Sequence, residues 1–222
     1  MSVITRISLP RDPRETSDHP ADFDPRFAKL VGSRWVKLPS PIRKRFSRHM
    51  VGGDSIVYSG SLTHASSNFA GRCLAQFLRL IGAPLPLSTE TGMPSIVSVT
   101  EDAAGGGQIW SRLHCNRQGF PQTISSAKRF SGPTGLEEYL TSWLSIALIV
   151  STEQTSLVFH SHHVAFHLGK TRLRLPEFLS PGVLTIKHTE IGGGWFRFSL
   201  DLTHRRLGCL MKQVGVYQED RR

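Results

Sequence analysis

The stretch Trp195–Thr203 reads WFRFSLDLT and alternates along its whole length. Phe196, Phe198, Leu200 and Leu202 share one side of an extended chain, and Arg197, Ser199, Asp201 and Thr203 share the other, because successive side chains of a strand point to opposite faces. A slip of one residue would turn every apolar side chain to water, so the register of this strand is strongly specified. Working outward, Gly192–Gly194 separates it from the alternating run Val183–Ile191, and Leu207–Gln218 continues the pattern downstream. Further upstream, Ile96–Thr100, the glycines 105–107 and Ile109–Cys115 read as a hairpin, and Gln122–Phe130 is a weaker strand. Trp143–Ser151 and Ser156–Leu168 flank a short turn at Thr152–Thr155, and Val51–Ser66 supplies an early strand around Ile56, Tyr58 and Gly60.

Helical spacing is confined to the first part of the chain. Asp24-Pro25 and Ser40-Pro41 are both helix starts, with a cap residue followed by proline at the first helical position. The first opens about two turns carrying Phe27, Leu30 and Val31 before Gly32. In the second, Ile42 and Phe46 lie one turn apart, with Arg43, Lys44, Arg45 and Arg48 expected to point elsewhere. Ser66, Ser67 and Asn68 precede Phe69, Cys73, Phe77, Leu80 and Ile81, an amphipathic pattern stopped by Gly82 and Pro84. Seven or eight strands joined by short turns, with one main helix, predict an α+β fold with a strongly bent antiparallel sheet. The expected outline is a half-barrel or barrel, lipocalin-like or helix-grip-like, with Phe69–Ile81 held against it and short N-terminal helices. Its apolar face then becomes either a packed core or a ligand cavity.

The chain has 222 residues, enough for a large core, and 39% of them are hydrophobic, which excludes wholesale disorder. Residues 1–22 lack hydrophobic periodicity and read as a flexible tail, followed by a single domain over 23–218 and a short C-terminal tail at 219–222. Three widely spaced cysteines, Cys73, Cys115 and Cys209, form no disulfide framework and imply a reducing, cytoplasmic setting. Met1–Pro10 has no signal-peptide core, and the most apolar run, Trp143–Val150, falls far short of the ~20 residues of a spanning helix.

Lys and Arg number 27 against 17 Asp and Glu, a formal charge of +10. Arg26, Lys29, Arg34, Lys37, Arg43, Lys44, Arg45 and Arg48 fall between Pro25 and Gly53 with no acid among them, so residues 25–53 are expected to make peripheral contact with an anionic membrane. Only Trp35 and Phe46 interleave as aromatics, which argues against nucleic acid. His160 and His162 would leave one face of their strand and His163 and His167 the other; two of them with His64, His114 or His188 could ligate zinc. Adjacent acids such as Glu137-Glu138 are expected to be solvated, and no hydrolase motif occurs. Trp110, Arg112 and His114 share a strand face, beside Gln122, Ile124 and Ser126. On the inside of a bent sheet, Arg112 with an aromatic neighbour would bind a carboxylate or phosphate.

Taken in order, Phe27, Leu30, Gly32, Trp35, Leu38-Pro39, Arg43, Phe46, Val57-Tyr58, Gly60, Leu85-Pro86, Trp110 and Arg112 resemble the bacterial domain of unknown function DUF4166. Leu175-Pro176, Leu179, Pro181-Gly182, His188, Phe196, Phe198, His204, Leu207-Gly208, Gln213 and Gly215 resemble its closing pattern, so the likeness covers about residues 27–218. The chain departs from that pattern at Arg205, where proline is usual, and at Val216, where an aromatic is usual. The resemblance implies a domain found alone or following NAD(P)-binding oxidoreductase-like domains, and it adds His204, Gln213 and His188 to Trp110 and Arg112 as candidate ligand contacts. No dinucleotide fingerprint occurs, and no cofactor is expected. The leading expectation is a binder of a small amphipathic or acidic molecule inside the curved sheet. The alternatives are an accessory module of an NAD(P)-dependent oxidoreductase-like partner and a His-ligated metal-dependent enzyme.

Overall fold

The computed structural model describes residues 23–220, apart from 52, 118 and 170; the tail expected over 1–22 lies outside them. The helical start signals act where they stand. Helix α1 spans Arg26–Val31, with the Asp24 carboxylate accepting the Arg26 backbone N–H at 3.0 Å, and Gly32 ends it at φ 69°. A 3-10 turn, Gly32–Lys37, leads to α2, Ser40–Ser47, in which Pro41 is tolerated in the first turn. Strand β1, Ser55–Ser67, precedes α3, Phe69–Leu80, whose first turn is capped by Asn68 accepting the Gly71 N–H at 2.8 Å.

Ten further strands follow: β2 (Pro94–Asp102), β3 (Gly107–His114), β4 (Gln122–Arg129), β5 (Glu137–Tyr139), β6 (Leu144–Glu153), β7 (Ser156–Leu168), β8 (Thr171–Arg174), β9 (Val183–Gly192), β10 (Trp195–His204) and β11 (Gly208–Glu219). The order is β6-β5-β4-β3-β2-β1-β11-β10-β9-β7-β8, every pairing is antiparallel, and β6 also pairs with β7. The sheet therefore closes into a ten-stranded barrel, with β8 a short flap on the edge that β7 leaves beyond β9. Closure agrees with the bent antiparallel sheet read from the sequence; the strand number exceeds seven or eight, two of the extra strands being β5 and β8, which are too short to carry a period.

A barrel of about eight strands is just filled by its own side chains, and a wider one needs other filling. Here the N-terminal helices supply it. Phe27, Ile42 and Phe46 reach into one end and are fully buried against wall residues Trp110, Leu148, Phe159, Ile186 and Phe196. Tyr217 also fits inside because its neighbours are glycines: a Cβ at Gly60 or Gly215 would collide with Tyr217 itself.

Two expectations about the helices fail. Arg45 does not point away with its basic neighbours; its guanidinium lies 3.9 Å over the Phe196 ring and pairs with Glu190. In α3 the face that packs on β11 and β1 is the small one, Gly71 and Ala75 with Leu74 half-buried, while Phe69, Cys73, Phe77 and Leu80 are exposed. The cause is backbone approach: Gly71 sits so close to the Leu210 carbonyl that any side chain there would clash, so the helix nests by its smallest surface.

Candidate functional site

The pleat and register decide what faces the barrel interior. Trp110, Arg112 and His114 of β3 pair with Ser126, Ile124 and Gln122 of β4. Lys128 follows Ser126 on the same face and pairs with Glu138 of β5. His188 of β9 pairs with Phe198 of β10, and Gln213 of β11 pairs with Leu200. Four of the five residues expected at the site, Trp110, Arg112, His188 and Gln213, thus lie buried on the inner wall. Trp110 and His188 touch, with ring centroids 5.6 Å apart, and the Arg112 guanidinium lies 5.5 Å from the Phe198 ring that also meets His188. His204 is not brought to them. It ends β10 at the hairpin to β11, where its Nδ1 accepts the backbone N–H groups of Arg206 and Leu207 at 3.2 Å, six residues and roughly 20 Å of strand from the Phe198–His188 pair.

The interior carries charge that the sequence reading assigned to solvent. Glu137 and Glu138 are both buried, on opposite faces of β5. Glu138 points inward, and its Oε1 receives Ser126 Oγ at 2.6 Å, Lys128 Nζ at 3.2 Å and Arg112 Nη2 at 3.7 Å. Burial raises its pKa, but the Lys128 and Arg112 charges and the Ser126 hydroxyl outweigh that and hold it at about 2. Lys128, 1% exposed, also lies 5.1 Å from the Trp110 ring. Burial, reinforced by Arg45, Lys128 and Arg112, keeps His188 well below the usual histidine range; burial and Arg112 bring His114 to about 4. Both rings are therefore neutral at pH 7. Ser95 links His114 Nδ1 (2.9 Å) to Tyr217 OH (3.0 Å).

Several buried polar atoms of this interior have no hydrogen-bond partner among the described residues: Glu138 Oε2, His188 Nδ1, His114 Nε2 and Gln213 Nε2. Arg112 is itself weakly held, through a 3.4 Å bond from Nη1 to Ser126 Oγ and the 3.7 Å contact to Glu138. Such groups cost free energy when left unpaired, and they distinguish this interior from the apolar packing around Phe27, Ile42 and Phe46. Below them, away from α2, the inward-facing Val164, Leu184 and Leu200 retain partial exposure.

Outside the wall, Glu137 receives Arg172 Nε at 2.9 Å and Nη2 at 2.6 Å, and Arg172 also meets His163 Nε2 at 2.7 Å. The alternation expected for the histidines breaks at a bulge between Ala147 and Leu148, where His162 becomes the extra residue and its Nδ1 meets that of His163 at 2.7 Å. His114 and His188 are inside the barrel, and His64 contacts Ser66. Among the described residues no three His, Cys, Asp or Glu side chains come together as a metal-binding set.

These features define a class: a closed antiparallel barrel stoppered at one end by its own N-terminal helices, with ionised side chains sealed inside. The chain belongs to the DUF4166 family, a domain of unknown function whose family model matches residues 38–217. No curated protein and no solved structure matches it. The matched span holds all of the inner-wall residues named above.

Proposed function

We propose that the barrel binds a small amphipathic acid, its anionic head against Arg112 and its apolar part against Val164, Leu184 and Leu200, as a lipocalin-like barrel would hold its ligand. The observation that carries this reading is the Arg112 guanidinium, held inside the wall among the described residues by a 3.4 Å bond to Ser126, a 3.7 Å contact to Glu138 and the Phe198 ring, with the unpartnered His188 Nδ1 on the same inner wall. An arginine fork matches a carboxylate or phosphate in two parallel bonds, and Arg112, which meets Glu138 through one nitrogen at 3.7 Å, has not used that geometry. Trp110 and Phe198 flank the head position with aromatic surface, and Gln213 offers a neutral donor.

Isothermal titration of medium-chain carboxylates and alkyl phosphates against wild type and Arg112→Gln tests the reading. Affinity is expected to fall about tenfold or more in Arg112→Gln, in keeping with loss of a charge-assisted pair. Arg112→Lys, which keeps the charge and loses the fork, should fall in between. Equal affinity in all three proteins, each checked for an unchanged melting profile, removes Arg112 from the site and overturns the proposal.

A further inference from the structure

The antiparallel order puts one set of loops at the end of the barrel opposite α2. Strand β1 runs down into α3; the Asn68 N–H bonds the Leu210 carbonyl, and Asn68 Nδ2 bonds the Leu207 carbonyl at 3.0 Å, so α3 starts beside the β10–β11 turn. The β3–β4 loop with Phe120 and the 3-10 turn Glu177–Leu179 that leads into β9 lie at this same end. Around it, large apolar side chains stand in water: Phe69, Phe77, Leu80 (85% exposed), Phe120 (94%), Phe178 (82%) and Leu207. Single exposed apolars are ordinary, but six around one rim, four of them Phe, are not.

The charge on this rim is mostly positive. Helix α3 contains Arg72 and Arg79 and no acid, and the adjoining turn contributes Arg205 and Arg206; none of the four has an ion-pair partner among the described residues. Of the acids nearby, Glu90 accepts the Arg117 backbone N–H at 2.8 Å, and Glu177 stands alone beside Phe178. On α3 the exposed Phe69, Cys73, Phe77 and Leu80 form one stripe with Arg72 and Arg79 along its flank. Apolar residues that enter an interface, flanked by arginines that meet lipid phosphates, are the pattern of a helix lying on an anionic bilayer. A second copy of the chain fits less well, since a two-fold contact would bring the four arginines against their own equivalents.

We infer that the α3 end of the barrel docks on the surface of an anionic lipid membrane through Phe69, Phe77, Leu80 and Leu207, with Arg72, Arg79, Arg205 and Arg206 against the headgroups. This concerns the rim and does not depend on a ligand in the interior. It also places membrane contact at the end opposite residues 25–53. There Arg45 is drawn inside, Arg26 pairs with Asp24 and Arg48 with Glu219, while Arg43 and Lys44 line an open groove of about 800 Å³.

Flotation of the full chain with vesicles of phosphatidylcholine, with and without phosphatidylserine, tests the inference. Wild type is expected to float only with phosphatidylserine and to be released by added salt. Two exposed-site variants, Phe77→Ser with Leu80→Ser and Arg72→Glu with Arg79→Glu, should each lose more than about tenfold in vesicle affinity. Arg43→Glu with Lys44→Glu, at the other end, should bind as wild type, and so should Arg112→Gln. The inference fails if wild type does not float, or if the α3 variants bind like wild type while the Arg43/Lys44 variant is lost. It also fails if light scattering finds a dimer that the Phe77/Leu80 variant dissolves.

Discussion

The two ends of the barrel use the same residue type in opposite ways. At the α2 end, Phe46 is fully buried, 4.9 Å from the His188 ring, 5.8 Å from Phe159 and 6.1 Å from Trp110. At the α3 end, Phe77 sits at an equally regular helical spacing and remains exposed. Neither outcome follows from hydrophobicity, which is the same in both. Helix α2 enters a barrel wide enough to need a stopper, whereas α3 lies over the other end, packing Leu74 and Ala75 on Leu200, Leu202 and Met211, and is drawn in by the side where Gly71 lets two backbones meet. Local geometry decides which apolar face is buried, and the face left over becomes available for something else.

The largest expected effect is at the stopper. Phe46→Ala should destabilise the fold by about 3–5 kcal/mol in urea unfolding, because the hole it leaves is ringed by rigid aromatics that cannot collapse into it. A loss below about 1 kcal/mol would mean that the α2 end is loosely filled and that the two ends are alike.

Acid should act on the barrel interior, through His188 beside the stopper and His114 toward the other end, with a smaller effect. His188 and His114 have folded pKa values depressed below the ordinary 6.5, His114 to about 4. The unfolded chain therefore takes up protons first, and stability falls as pH drops from about 6.5 toward about 4. Since His188 packs on Phe46, His188→Phe should flatten this decline between pH 7 and pH 5, read as the shift in urea midpoint. An unchanged shift would assign the acid sensitivity elsewhere.

The smallest effect belongs to the far end: Phe77→Ser should change stability by no more than about 0.5 kcal/mol, as for other exposed positions. A loss of several times that would show that the rim is part of the core.

How much of this was legible depends on the kind of signal. The alternation of Trp195–Thr203 and the glycine turns at 105–107 and 192–194 are long and local, and they reappear as β10 and the turns flanking β3 and β10. Strand parity put Trp110, Arg112 and His114 on one face; that this face is the inner one depends on how the sheet closes and was not legible from parity. Glu138 was invisible because a strand of three residues has no period, and a charged residue beside another acid reads as solvated. Lys128, by contrast, carried a usable signal, since it shares the parity of Ile124 and Ser126 on β4. Arg45 carried a usable signal: at 100° per residue it lies within 60° of Ile42, on the buried side of α2, but three basic residues in a row mask the angle. The exposed face of α3 could not be read, because it depends on how closely Gly71 approaches a carbonyl some 140 residues away in sequence.

Closure of the wall rests on β1 meeting β11, with Gly60 opposite Tyr217. During synthesis the first strand must therefore wait, one edge unpaired, until β11, some 150 residues later, has left the ribosome. Contacts that distant in sequence form slowly, and an open edge invites pairing with a neighbouring chain. The last step of folding is thus also the one most exposed to aggregation.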